Sequence, residues 1–188
     1  MRPPAGRGWI HEIKLDGFHI MARRSNGNVQ LLTHKDADFS NWFPQIVATL
    51  MALPVRSCFI DGEAAVCDEK GLAVFDLIRG YEHDAAAVLC AFDLIEVDGK
   101  DLRRAPIEER EAVLASLLKR TPFDGITFNE HHALDGAIVL SYACAMGCEG
   151  LVSKRLGSSY RSGGSDCWIK VQNSAAPAVR RQAEEELT

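Results

Sequence analysis

The chain has 188 residues, a formal net charge of −5 and 47% hydrophobic residues, which suits one globular domain with a sizeable core. No apolar run approaches the roughly 20 residues that cross a bilayer, and residues 1–8 lack the apolar segment of a signal peptide, so we expect a cytoplasmic protein with no membrane contact. The acidic balance argues against a strongly basic nucleic-acid binder and predicts that any DNA affinity is weak and salt-sensitive.

Strands joined by turns, with single helices between them, follow in order along the chain. Lys14 ends the first predicted strand before a tight turn at Asp16-Gly17, and Asn26-Gly27 favours the positive backbone angles of a hairpin turn. The next predicted strands are residues 18–23, 29–33, 58–60, 64–67, 86–97, 126–128, 149–154 and 168–171. The predicted helices are residues 41–53, 106–120 and 134–146, with a helical turn at 75–78. Strands in hairpins indicate an α+β domain with antiparallel sheets rather than a doubly wound parallel sheet.

Two elements carry charges that need an explanation. Asp93 interrupts the apolar run 86–97, and an acid inside such a strand needs a partner or a function. In the helix over 106–120, one side is apolar and the other is expected to face water. The apolar side comprises Ile107, Val113, Leu114, Leu117 and Leu118. The solvent-facing side comprises Glu108, Glu109, Arg110 and Glu111.

Six cysteines are present, and none forms a C-x-x-C pair. Cys144 and Cys148 lie one helical turn apart, but no further ligand has a suitable spacing for a metal site. We therefore expect buried, reduced thiols.

Isolated charges recur at the ends of apolar strands and predict a cleft with several lysines and carboxylates. Lysines suit phosphates, and carboxylates suit a Mg²⁺ ion that bridges those phosphates. There is no G-x-x-x-x-G-K-[ST] loop and no G-x-G-x-x-G, which argues against P-loop and Rossmann sites. Lys14 is either a nucleophile whose charge is disfavoured by desolvation or a surface salt bridge to Glu12 or Asp16. Asp61 is interpreted as a turn acid ahead of Gly62.

Five short motifs stand in order between residues 9 and 172: K-x-D-G from Lys14, D-G-E from Asp61, F-D from Phe92, E-G-x-x-x-K from Glu149 and W-x-K from Trp168. This order resembles the nucleotidyltransferase (adenylation) domain of ATP-dependent DNA ligases, of the bacterial end-joining and repair type. The resemblance implies an α+β fold of two antiparallel sheets flanked by helices, with an ATP-grasp-like arrangement, and we expect no OB domain within these 188 residues. It places an adenylation domain at residues 1–172 and a tail at 173–188.

The resemblance also implies a role for each matching position. Lys14 would attack the α-phosphate of ATP, release pyrophosphate and carry AMP to the 5′-phosphate of nicked double-stranded DNA, with Mg²⁺ or Mn²⁺ as the metal. Lys154 and Lys170 would neutralise phosphate charge, and Asp16 would support the steps on DNA. The other implied nucleotide or metal contacts are Glu12 at the adenine edge, Ile13 beside it, Phe92 stacked on adenine, Val152 on its other face, and Glu63 and Glu149 at the metal or ribose. Ordinary core packing remains the alternative for Phe92 and Val152.

The sequence departs from the family pattern at three positive positions. His19 and His34 stand where arginines are usual, and Gln172 replaces the second lysine of W-x-K-x-K. Histidine is mostly neutral at pH 7 and makes no bidentate contact, so the departures indicate reduced phosphate affinity. The chain ends 16 residues after Gln172, too few for the OB-fold domain of family ligases, which predicts that this domain was cut off, lies on another chain as a partner, or is absent.

Other functions remain open at this point. The same fold could serve an RNA ligase or a capping-type guanylyltransferase. The three departures also allow a non-catalytic nucleotide- or DNA-binding module, or a structural domain without a nucleotide site.

Overall fold

The computed structural model describes residues 2–80, 86–120 and 124–179. Its strands are β1 (Trp9–Lys14), β2 (Phe18–Ser25), β3 (Asn28–Leu32), β4 (Cys58–Ala65), β5 (Val88–Val97), β6 (Lys100–Asp101), β7 (Ile126–Phe128), β8 (His131–His132), β9 (Gly150–Arg155) and β10 (Trp168–Gln172). Its helices are α1 (Pro44–Ala52), α2 (Phe75–Gly80), α3 (Ile107–Leu118) and α4 (Gly136–Met146).

The strands form two sheets. The small sheet has the order β10-β9-β1-β8 and is antiparallel throughout. The large sheet has the order β3-β2-β4-β5-β6, also antiparallel, and β7 joins it parallel to β5. The predicted α+β fold with two sheets is therefore confirmed, with β7 as the parallel exception. β1 and β2 belong to different sheets, so the turn after Lys14 links the two sheets.

Each sheet has its own apolar core. The larger core lies between the large sheet and helices α1 and α3, where Ile20, Leu31, Phe43 and Leu50 are fully buried. The smaller core lies between the small sheet and α4 and includes Leu151. The faces of the two sheets that do not pack against these cores line a cavity between the sheets.

The local predictions mostly hold, with shifts of a few residues at the ends. Asn26 and Gly27 both have positive φ, as the hairpin turn requires, and Pro44 begins α1. Gly147 ends α4 in the left-handed conformation with φ 82°. Strand β4 runs through Asp61-Gly62-Glu63 without a break.

Three surface predictions are wrong. The sequence predicts that Arg110 and Glu111 lie on the solvent-facing side of α3, but their exposed fractions are 0% and 2%. Val113, expected on the apolar side, is exposed. Only part of the cysteine prediction holds, because Cys67 and Cys144 are exposed, although all six thiols are free.

Within the described residues, no helix is both long enough and apolar enough to cross a membrane. The boundary predicted between residues 172 and 173 stays a prediction, and residues 180–188 of the predicted tail lie outside the described residues.

Candidate active site

A cavity of about 1140 Å³ lies between the two sheets. Strands β1, β9 and β10 supply one wall, and β2, β4 and β5 supply the other. All of the site residues predicted from the sequence line it: Glu12, Ile13, Lys14, Asp16, Glu63, Phe92, Glu149, Val152, Lys154 and Lys170. Glu12 and Lys170, which are 158 positions apart in the chain, thus share one surface, as the motif order predicted.

Lys14 is the last residue of β1 and points its ammonium group at the Glu149 carboxylate, with which it forms an ion pair. Glu149 directly precedes β9, and Lys14 lies opposite Gly150 in the β1–β9 register. The salt-bridge alternative named Glu12 or Asp16 as the partner, and that assignment is wrong. The side chain of Lys14 is 20% exposed, so its nitrogen is reachable from the cavity.

Two glycines let the backbone come close enough to place Lys14 and Glu149. A Cβ on Gly17 would lie 2.2 Å from the carbonyl oxygen of Ala64. A Cβ on Gly150 would lie 2.0 Å from the carbonyl oxygen of Val171, and Gly150 has φ 153°. Side chains at either position would push apart the strands that carry the site.

Glu63 faces the same region from the large sheet. Burial raises the pKa of Glu63 to about 7, and the positive charges of His19, Lys14 and Lys170 partly oppose that rise. Nearby Glu149 adds to it. Two carboxylates and two lysines therefore share one end of the cavity, an arrangement suited to phosphate groups and a divalent ion.

Asp16 lies in the turn after Lys14 and is buried. Its Oδ2 accepts a hydrogen bond of 3.2 Å from the backbone N–H of Phe75, the first residue of α2. Asp16 therefore ties the turn to the large-sheet side of the cavity, and its predicted role on DNA stays a prediction.

Aromatic side chains form a slot in the same cavity. Phe92 and Trp168 meet edge to face with ring centroids 5.9 Å apart, and His19 stacks on Phe92 at 5.9 Å. Phe92 and Val152 lie on the cavity wall rather than in either buried core. A flat purine fits such a slot by stacking.

Lys154 closes the floor of the slot and is fully buried. Its ammonium group donates to the carbonyl oxygen of Phe92 at 2.7 Å and to Glu111 Oε1 at 3.3 Å, and it also forms an ion pair with Glu12. Burial disfavours its charge, but Glu12, Glu111 and Asp93 outweigh burial and raise the pKa of Lys154. These three contacts match the three N–H bonds of an ammonium group, which argues against the predicted phosphate contact.

Glu12 lies at the same floor and is 2% exposed. Its Oε2 accepts a hydrogen bond of 3.2 Å from the side chain of Asn129. Burial raises the pKa of Glu12 to about 8, although Lys154 opposes the rise. Glu12 and Val152 are partners in the β1–β9 register, which puts Glu12 beside the aromatic slot. Its predicted contact with the edge of adenine stays a prediction.

Asp93 has the partner that its place in an apolar strand required. Arg110 donates two hydrogen bonds to its carboxylate, of 2.7 and 2.8 Å, and both side chains are 0% exposed. Arg110 also donates to the carbonyl oxygen of Ser158 at 2.9 Å. The pair fastens α3 and the loop after β9 to strand β5.

Asp61 is not a turn acid, and that interpretation is wrong. It lies inside β4, is 3% exposed, and joins His19 to Tyr160. The His19 Nε2 lies 2.5 Å from Asp61 Oδ1, and the Tyr160 hydroxyl donates to Asp61 Oδ2 at 3.0 Å. The hydrogen bond to Asp61 raises the pKa of His19 against the effect of burial. Burial and Asp61 raise the pKa of Tyr160.

The three departures from the family pattern differ in position. His19 and His34 both line the cavity, whereas Gln172 is exposed at the end of β10. The hydrogen bond to Asp61 favours a positive charge on His19 at the cavity wall. That a histidine here binds phosphate more weakly than an arginine would stays a prediction.

Sequence reasoning missed five residues at the site: Arg110, Glu111, Asn129, His131 and Tyr160. The helix pattern placed Arg110 and Glu111 in water, and no local pattern marks the others. One signal was available: Asp93 needed a buried cation, and α3 contains Arg110 with apolar neighbours.

Comparison with known proteins shows the family to which the chain belongs. Residues 2–172 match the family described as "ATP dependent DNA ligase domain". The chain belongs to the ATP-dependent DNA ligase domain family.

Two similar relatives carry names from bacterial end joining and ligation. The chain is 37% identical over 174 residues to the "Multifunctional non-homologous end joining protein LigD" of Pseudomonas aeruginosa, covering 91% of this chain and 21% of that protein. It is 34% identical over 170 residues to a "Probable DNA ligase" of Pseudarthrobacter chlorophenolicus, covering 86% of this chain and 33% of that protein. The chain thus spans about a fifth to a third of these relatives.

Two solved structures share the fold. The chain superimposes on the ligase domain of Mycobacterium tuberculosis LigD with a TM-score of 0.77 and 27% identity, covering 89% of this chain and 56% of that one. A structure titled "mycobacterial DNA ligase D complexed with ATP and MES" also gives a TM-score of 0.77, with 26% identity and coverage of 92% and 59%. These matches agree with the ligase-type nucleotidyltransferase fold predicted from the motifs.

Proposed function

We propose that this chain is a DNA-ligase adenylation domain in which Lys14 takes AMP from ATP and passes it to the 5′-phosphate of nicked double-stranded DNA. The observation that carries the proposal is the placement of Lys14 on the wall of the cavity between the two sheets, against Glu149 and near Glu63 and Lys170. Membership in the ligase-domain family supports the same reaction.

The first step forms one bond and breaks another. The Lys14 nitrogen, after losing its proton to cavity water, attacks the α-phosphorus of ATP and forms a P–N bond. The bond from that phosphorus to the bridging oxygen breaks, and its electron pair leaves with pyrophosphate. Glu149 orients the lysine nitrogen before the step, and Lys170 offsets the negative charge that grows on the leaving oxygens.

The carboxylates also fit a divalent ion. No group of three or more His, Cys, Asp or Glu forms a ready metal cage among the described residues. Mg²⁺ is commonly held by one or two carboxylates together with substrate phosphates, and Glu63 and Glu149 can supply that pair. A bound Mg²⁺ or Mn²⁺ ion would neutralise phosphate charge and align the triphosphate. Glu63 is positioned by strand β4, and Glu149 by its contact with Lys14.

In the second step the AMP moves from Lys14 to the DNA 5′-phosphate, which requires DNA at the open side of the cavity. Asp16 lines the cavity in the turn after Lys14, where it is buried. An OB-fold domain or a repair partner on another chain would assist this step.

Incubation with ATP labelled at the α-phosphate tests the proposal. Label should stay with the wild-type protein through denaturing electrophoresis and be absent from Lys14→Ala, while the surface variant Lys100→Ala, on the exposed β6 hairpin, retains it. GTP in place of ATP, and nicked RNA in place of nicked DNA, separate the capping-type and RNA-ligase alternatives. Equal labelling of wild type and Lys14→Ala would rule out Lys14 as the acceptor.

A further inference from the structure

The loop between β9 and β10, residues 156–167, is fastened in its first half to the large-sheet side of the cavity. The backbone N–H of Tyr160 donates to the carbonyl oxygen of Arg103 at 2.8 Å, and its hydroxyl donates to Asp61 of β4 at 3.0 Å. The guanidinium carbon of Arg110 lies 5.9 Å from the centre of the Tyr160 ring. The residues that follow Tyr160 therefore start from a fixed position.

Arg161 directly follows this anchor and lines the cavity with an exposed side chain. Within the part of the chain that the structure describes, its guanidinium forms no hydrogen bond or ion pair. Gly163 and Gly164 line the cavity as well, and a Cβ at either position would meet no atom within 4 Å, so this part of the loop borders open space. A ligand can therefore reach the Arg161 guanidinium without displacing a partner.

Arg161 is the only arginine among the described residues that line the cavity. His19 and His34, which stand at positions where the family pattern has arginines, line it too. A lysine ammonium binds phosphate as a point charge, whereas a guanidinium presents a planar fork that can hold two phosphate oxygens at once. Arg161 is therefore the residue on this lining that can make a two-point phosphate contact.

Ion pairs inside the cavity leave few cations for a polyanion. Lys14 and Lys154 are already paired with Glu149 and Glu12, respectively. A triphosphate brings several negative charges, and a charge that leaves water needs a positive partner nearby. Arg161 can supply one such partner without the loss of an existing ion pair.

We propose that Arg161 is a phosphate-binding residue of this cavity, that its guanidinium holds two oxygens of one phosphate group, and that the anchored Tyr160 positions it. The triphosphate of ATP and the backbone of nicked DNA both present such a group. This inference rests on the proposed function, which brings those two substrates to the cavity. It gives a cavity with histidines at two usual arginine positions a two-point phosphate contact from a different element, the β9–β10 loop.

Three variants separate the charge, the fork and the anchor. Arg161→Gln removes the charge, Arg161→Lys keeps the charge without the fork, and Tyr160→Phe removes only the hydroxyl that binds Asp61. The matched control for the first two is Arg155→Gln, an exposed change at the end of β9 and outside the cavity lining. The control for the third is Tyr142→Phe, on the exposed side of α4.

Two binding measurements identify which phosphate Arg161 contacts. Calorimetry gives the affinity for the α,β-methylene analogue of ATP, which cannot transfer its nucleotide, and fluorescence anisotropy gives the affinity for a labelled nicked duplex. At low salt, Arg161→Gln should bind at least one of these ligands about tenfold more weakly than the wild type does. Arg161→Lys and Tyr160→Phe should show smaller losses for the same ligand. A loss for the analogue assigns the contact to the nucleotide, and a loss for the duplex assigns it to DNA.

The salt dependence distinguishes a phosphate contact from a structural role. Because salt screens exposed charges, the loss in Arg161→Gln should shrink between about 50 and 500 mM salt, whereas a disturbed fold would weaken binding by the same factor throughout. Both control variants should bind like the wild type. An Arg161→Gln protein that binds both ligands normally, or whose loss does not change with salt, overturns this inference and leaves the proposed function standing. A wild type that binds neither ligand overturns both.

Discussion

Lys14 in β1 and Lys154 in β9 are the same type of residue, but their surroundings give them different roles. Lys14 has one carboxylate partner and is reachable from the cavity, as a nucleophile must be. Lys154 is fully buried and has three partners, so it fixes the floor of the slot. Both matched family motifs equally well in sequence. The motif alone therefore could not separate a reactive lysine from a positioning one, because burial by distant residues decides the difference.

A buried histidine on the opposite face of β1, toward α4, predicts a pH effect on stability. His11 is 0% exposed, with Nδ1 2.8 Å from the hydroxyl of Ser153. Burial lowers the pKa of His11, Asp135 opposes that, and His132 adds to it. The unfolded chain therefore binds a proton more readily, and the stability from His11 is full above about pH 6.5 and is lost as pH falls through its lower folded pKa.

Thermal unfolding at pH values between about 7 and 5 checks this effect. The melting temperature of the wild type should fall more steeply toward acid than that of His11→Asn, which cannot take up the proton. His34→Asn, on the exposed turn after β3, should follow the wild type. Parallel slopes for wild type and His11→Asn would contradict the assignment.

At the level of elements, α3 shows what a sequence pattern can and cannot supply. The apolar positions located the helix within one or two residues at each end. The same pattern put Arg110 and Glu111 in water, because a charged side chain is exposed in most helices. Their burial depends on Asp93 in β5 and Lys154 in β9, which meet them only in the folded chain.

The Asp93–Arg110 pair predicts a large loss of stability when one partner is removed. Arg110→Met leaves the Asp93 carboxylate buried without its cation, which should cost about 3–5 kcal/mol of unfolding free energy. Arg120→Met, an exposed change just after α3, should stay within about 0.5 kcal/mol. Urea unfolding of both variants measures the difference.

The double variant Arg110→Met with Asp93→Leu distinguishes a lost charge partner from a lost packing contact. Replacing both charges by apolar groups should restore most of the stability that Arg110→Met loses. A double variant less stable than the single one would show that packing around α3, rather than the unpaired carboxylate, accounts for the loss of stability.

At the scale of the whole molecule, the site exists because two sheets face each other across a cavity. The order of the five motifs predicted that their residues meet, and all ten predicted site residues line that cavity. No sequence pattern predicted the hydrogen bonds that join His19, Asp61 and Tyr160. Asp61 and Tyr160 are 99 residues apart in the chain, and the contacts depend on the strand register. Family resemblance thus located the site, while the contacts that support it required the fold.

The net charge of −5 makes a prediction for the proposed DNA contact. An acidic domain holds DNA through few local positive contacts, and each contact releases counterions. Affinity for a nicked duplex should fall by about tenfold for every two phosphate contacts between about 50 and 200 mM salt. Fluorescence anisotropy with a labelled nicked duplex measures this slope, and binding that does not change with salt would contradict a phosphate-based contact.

The most direct test of the account identifies which cavity lysine carries AMP. The protein is incubated with ATP and Mg²⁺, digested near neutral pH to preserve the P–N bond, and sequenced by tandem mass spectrometry. One AMP is expected on the peptide that contains Lys14, and none on the peptides of Lys154 and Lys170. An AMP on either of those lysines, or an adduct that persists in Lys14→Ala, would contradict it.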